Sequence, residues 1–181
     1  MPGDHATIQG GIDAAIDGDT VLVADGIFIG NGKAFLIDLG FENHPVVEVT
    51  WFGANAFAEF FGYKIPSDYA WEKAARGNTG SVYPWGDELP YCELANFFGC
   101  KGETMPVGQT TGVSFYGAYD MAGNVWEWTR SYFTNGTYMR TIRGGAWDGL
   151  SGNLHATFRD VEEPTNSTRA IGFRCIRIPT K

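Results

Sequence analysis

Few side chains in this sequence are suited to chemistry, and their spacing limits what each group can do. Cys92 and Cys100 enclose the short, turn-rich segment from Glu93 to Gly99. They are placed to form a local disulfide, with two free thiols as the alternative reading. The spacing is wrong for a zinc knuckle, and no His/Cys pair lies nearby. His5, His44 and His155 are scattered without ligand spacing. His44 reads as structural, and His155 as the better candidate for a surface role. Asp160, Glu162 and Glu163 cluster, but such clusters are more often a solvated loop than an acid/base pair. The phrase DMAGNVWE, ending at Glu127, is more informative. A tight turn at Ala122-Gly123-Asn124 can aim several backbone carbonyls at one point, with Glu127 adding an anionic oxygen. Calcium takes such all-oxygen shells. The plainer reading is that Glu127 accepts hydrogen bonds from loop amides.

The elements that must position these groups are short. Ala54, Phe57, Ala58 and Phe61 recur at helical spacing after Thr50, a suitable N-cap, and Gly62 is a stop signal. Ser67 caps a second expected helix, with Asp68 in its first turn and Lys73 and Arg76 in its last, which complements the helix dipole. Gly77 closes it. Beyond residue 78 the periodicity fades, and Gly, Pro, Asn and aromatic residues dominate. The strand candidates are 125–129, 138–143, 154–158 and 172–178. Short strands, two helices and long loops define the expected class: α+β, with a small antiparallel sheet.

Residues 1–33 read as a separate unit. Their alternation of helical spacing, Val21-Leu22-Val23, an Asp25-Gly26 turn and Ile27-Phe28-Ile29 is like one rung of a parallel β-helix. One rung cannot bury its own apolar face, so the segment is expected to pack on the domain at 34–181, or to offer an edge for assembly.

Composition excludes several functions. The 181 residues suit one domain with a proper core. Six Trp in so short a chain imply that large rings fill it. The formal charge of −8 leaves no basic footprint for nucleic acid. No apolar run approaches the ~18 residues of a membrane helix, so membrane insertion is not expected. The first twenty residues carry four Asp and show no leader-like pattern.

Several phrases carry a resemblance. In order they are HPVVEVTW (44–51), GYKIPSDYAWEKAARG (62–77), YPWGD (83–87), CELANFFGCKGETMPVG (92–108), YGAYDMAGNVWEW (116–128), RTIRGGAW (140–147) and IGFRCIR (171–177). Together they resemble the formylglycine-generating-enzyme-like, or sulfatase-modifying-factor, branch of the C-type-lectin-type fold. The likeness covers about residues 40–178; the family's usual N-terminal portion is largely replaced by the β-helix-like segment.

The resemblance implies specific sites. It places a calcium on the carbonyls of Asp120, Gly123 and Val125 with the Glu127 carboxylate. A second family calcium corresponds to Asn96 and the Phe97 carbonyl, although the loop that follows holds Glu103 and no Asp. The enzymes of the family oxidise a substrate cysteine with copper held by two cysteines, soft ligands that suit copper(I). Those cysteines correspond here to Gly149 and Leu154, neither of which can ligate a metal or act as a nucleophile through its side chain. No copper is therefore expected. Half-cystine positions of the family are held by Ala58 and Ala75, so Cys175 is expected as a buried free thiol. A related branch uses histidine-bound iron in an added domain, which this sequence does not match.

What remains is a cleft-forming region from Trp147 to Thr168, which corresponds to the diversified segment of ligand-binding proteins of this fold. It offers Trp147, Asp148, Asn153, His155, Arg159, Glu162 and Asn166 for recognition; Arg159 is alternatively a buried structural residue. The expected function is a non-catalytic, calcium-stabilised, extracytoplasmic module that binds a protein or carbohydrate ligand or serves in assembly. The alternative is an oxidoreductase relative with altered or lost chemistry.

Overall fold

The computed structural model describes residues 40–134 and 137–177. The β-helix-like unit expected at 1–33 lies outside the described residues. Helix α1 spans Trp51–Phe60, and the Thr50 hydroxyl accepts from the Gly53 amide at 3.1 Å. Helix α2 spans Asp68–Arg76, with the Ser67 hydroxyl accepting from Ala70 at 3.1 Å. Both caps supply an acceptor to an otherwise orphaned first-turn amide. Gly77 ends α2 at φ 62°, where a Cβ would also strike the Phe115 ring.

Strands β1 (Trp126–Tyr132), β2 (Arg140–Arg143), β3 (Arg159–Glu162) and β4 (Ile171–Gly172) form one sheet in the order β3-β2-β1-β4. The antiparallel expectation holds for β1–β2 and β2–β3, but β4 runs parallel to β1. The cause is topological. β3 and β4 point the same way on opposite edges, so the connection at 163–170 must return and cross the sheet.

The strand expected at 154–158 is also displaced. Ser151–Leu154 is a single 3-10 turn, Phe158 N–H turns back to the His155 carbonyl at 2.8 Å, and the strand begins at Arg159. Leu154 and Ala156 alternate like strand residues, yet each fills a core cluster. Their apolar spacing reports burial and not strand pairing.

The core is divided. Ala54 and Ala58 let α1 approach Trp128, Ile142 and Ile171 closely. Trp71 and Ala75 of α2 meet Met121 and Ala156. Tyr83, Ala95, Ala122 and Leu154 form the third group, below the loops that carry the site.

Candidate functional site

The loops over the third core group build an open pocket of about 410 Å³, lined by Phe98, Gly99, Cys100, Lys101, Gly102, Trp147 and Asp148. Cys92 and Cys100 are joined in a disulfide, so the 98–102 wall is covalently tied at its base. The wall also meets the opposite loop directly, through the Phe98 amide and the Gly149 carbonyl at 2.9 Å. Trp147 is held by its indole N–H on the Arg169 carbonyl at 3.3 Å. Phe98 is 65% exposed, a large apolar group in the wall of the pocket. An indole, an acid, a lysine and an exposed phenyl ring around one concavity suit recognition of a mixed polar and apolar ligand.

Only Trp147 and Asp148 of the seven expected surface residues line this pocket. Asn153 lies behind it, its side-chain oxygen capping the Leu150 amide at 3.0 Å. His155 packs edge-on against the Tyr83 ring. Arg159 is exposed and pairs with Asp68 at 3.3 Å, so it is not the buried arginine. Glu162 sits opposite Arg140 in the β2–β3 ladder, and Asn166 turns onto the Ser167 amide. The disulfide wall was absent from the expected surface. Its one sequence signal is the cysteine pair that encloses Phe98.

The buried arginine is Arg143. Its guanidinium donates to Asp68, to Glu72 at 2.6 Å, and to the carbonyls of Ala156 and Phe158. It thereby fixes α2 against the end of β2 and the end of the 151–158 segment. Burial alone would raise the pKa of Glu72, but hydrogen bonds and charge from Arg143 and Arg76 hold it below its ordinary value.

At the turn before β1, Gly123 adopts φ 79°, and a Cβ there would overlap the Asn96 carbonyl oxygen. Asn124 continues the turn at φ 66° and is laced to Met105 by both its amide oxygen and nitrogen. Glu127 is buried. Its Oε2 accepts from Trp71 Nε1 at 2.6 Å and Arg174 Nε at 2.5 Å, and its Oε1 accepts from Arg174 Nη2 at 2.6 Å. Arg174 Nη2 also reaches the Tyr119 and Asp120 carbonyls at 3.0 and 3.2 Å. Two of the four expected calcium ligands are thus engaged by a guanidinium, and the set as arranged does not fit calcium. At the second position, Asn96 Oδ1 is buried without a hydrogen-bond partner. The Phe97 carbonyl already accepts the Cys100 amide, the Glu103 side chain is exposed, and no cluster of three acidic, His or Cys ligands occurs among the described residues.

Gly149 and Leu154, expected from the resemblance at the copper-ligand positions, both have structural roles. Leu154 is 0% exposed in the third core group. Gly149 donates to the Ala146 carbonyl at 2.9 Å, and a Cβ there would crowd that oxygen. Cys175 is half-buried, and burial pushes its thiol up to about 11.

Among the described residues, two helices, a four-stranded mixed sheet and long site-bearing loops define a C-type-lectin-like domain of the formylglycine-generating-enzyme type. The sulfatase-modifying factor enzyme 1-like domain matches residues 35–179, and the chain belongs to that family. It is 36% identical over 160 residues to the serine/threonine-protein kinase Pkn1 of Chlamydia trachomatis, covering 78% of this chain and 25% of the kinase. It is 36% identical to the mouse inactive C-alpha-formylglycine-generating enzyme 2, covering 72% of this chain and 48% of that protein. It is 35% identical to the hercynine oxygenase of Mycolicibacterium smegmatis, covering 73% of this chain and 37% of the oxygenase. The chain therefore spans a quarter to a half of the length of these curated relatives. Among solved structures, Treponema denticola variable protein 1 shares the fold, with a TM-score of 0.67 at 21% identity over 76% of this chain and 73% of that one.

Proposed function

We propose that this domain is a non-catalytic recognition module on a formylglycine-generating-enzyme-like scaffold. The supporting observation is Leu154, which is sealed in the core where the oxidase chemistry would need a thiolate. A metal-binding or nucleophilic side chain at that position would have to leave the apolar cluster with Tyr83, Ala95 and Ala122. Gly149, the other position, has no side chain to offer. The name of the inactive mouse relative shows that the family includes members without the activity.

Recognition is assigned to the pocket between the disulfide wall and Trp147–Asp148. Its ligand is a protein segment or a carbohydrate, both of which use an indole face beside polar groups. The Cys92–Cys100 disulfide favours an oxidising, extracytoplasmic setting. Among the described residues no helix is long and apolar enough to cross a membrane. Calcium is not part of this reading, because Arg174 engages the expected ligand set. The test is a screen of the purified protein against glycan and peptide arrays, alongside Trp147→Ala. Retention of a defined glycan or peptide, reduced at least ~10-fold in Trp147→Ala, is expected. Retention unchanged by the substitution, or none on either array, would count against the pocket.

A further inference from the structure

We propose that Arg174 stands in for a metal cation at Glu127, so that the turn before β1 is held by the chain's own guanidinium. A buried carboxylate needs a positive partner and filled lone pairs. Glu127 has both. The Arg174 fork meets its two oxygens at 2.5 and 2.6 Å, the bidentate arrangement that a guanidinium makes best, and the Trp71 indole N–H supplies a further donor at 2.6 Å.

The same guanidinium performs the second task of a cation, which is to gather carbonyl oxygens. Nη2 draws the Tyr119 and Asp120 carbonyls toward the carboxylate at 3.0 and 3.2 Å. Asp120 has φ 53°, a left-handed conformation disfavoured without glycine, and both its ends are tied. Its carboxylate accepts from the Gly108 amide at 2.6 Å and the Thr110 hydroxyl at 3.2 Å. A turn with this much backbone constraint needs a fixed centre of positive charge, and Arg174 lies at that centre. A dication on the same oxygens would sit within a few ångströms of the guanidinium and be repelled by it.

The position of Arg174 follows from the fold. Glu127 pairs with Gly172 across β1 and β4, and Arg174 lies two residues farther along the same segment. The parallel return of β4 therefore delivers the charge. The Arg174 side chain is 26% exposed, so the pair lies at the edge of the core.

Trp71 makes the proposal measurable, because an indole that contacts Glu127 would sensitise terbium luminescence from an ion bound there. The wild-type protein, Arg174→Gln, Arg174→Lys, Glu127→Gln and Arg174→Gln with Glu127→Gln are compared by terbium titration and by melting in excess calcium or excess chelator. The wild type and Arg174→Lys are expected to show no calcium-displaceable terbium signal, with melting temperatures equal within about 1 °C in the two buffers. Arg174→Gln is expected to gain the signal and a calcium-dependent rise of roughly 5–10 °C, both lost when Glu127 is also replaced. A wild-type terbium signal or calcium shift that Glu127→Gln abolishes would overturn the proposal. A folded Arg174→Gln that stays unresponsive would overturn it as well. Should Arg174→Gln fail to fold, the wild-type titration alone decides. None of these readouts involves the pocket at Trp147.

Discussion

Arg143 is 1% exposed, and its guanidinium joins two acids of α2 to the Ala156 and Phe158 carbonyls just before β3. Removing a buried partner leaves the others desolvated and unpaired. Arg143→Ala is therefore expected to cost ~3–5 kcal/mol in urea unfolding. The same site sets an acid sensitivity. The folded pKa of Glu72 lies below its ordinary value of 4.5, so its ion pairs contribute stability above that pH. This contribution is lost as the pH falls below 4.5 and through the lowered folded value. The slope of stability against pH in that window should be shallower in Arg143→Ala. A variant as stable as the wild type, with an unchanged slope, would show that α2 is held by packing alone. Neither arginine lock was readable as such in the sequence. Arg143 lies 75 and 71 residues from its acids and Arg174 lies 47 from Glu127, so no local spacing announces the pairs.

At the scale of elements, legibility followed the range of the interactions. The caps at Thr50 and Ser67 and the Gly77 stop are local hydrogen bonds or local dihedrals, and the two helices begin and end where those residues place them. The β3 strand lies beyond the expected 154–158 because burial of Leu154 and Ala156 imitates strand alternation. The parallel β4 was missed because its direction depends on a crossover and not on its own two residues. The wall at 98–102 was legible only as a cysteine pair, and the pocket it makes with Trp147 needed the three-dimensional approach of two loops. That wall rests on the disulfide. Closing so short a loop contributes ~2.5 kcal/mol through restriction of the unfolded chain. Cys92→Ser with Cys100→Ser should lower unfolding stability by about that amount and should weaken ligand retention at the pocket beyond any loss from partial unfolding. Full retention in the double variant would remove the wall from the binding surface.

At the scale of the whole molecule, the family phrases specified the fold because they are packing instructions: rings, tight turns and caps distributed along residues 40–178. They specify activity less well, since function resides in the few groups placed on the scaffold. Here the scaffold is kept, with Trp128 buried under α1 and the Gly144-Gly145 turn carrying the chain from β2 into the site loops. Gly149 and Leu154, which the resemblance sets at the oxidase positions, are a backbone-bonded glycine and a core leucine. In the proposed function, the surface around Trp147 serves recognition. The most direct test is to incubate the purified protein, supplied with copper and a thiol reductant, with a Cys-x-Pro-x-Arg peptide and to follow the peptide mass. The peptide is expected to keep its cysteine mass throughout. A loss of mass matching conversion of that cysteine to an aldehyde would contradict the assignment of this domain to recognition.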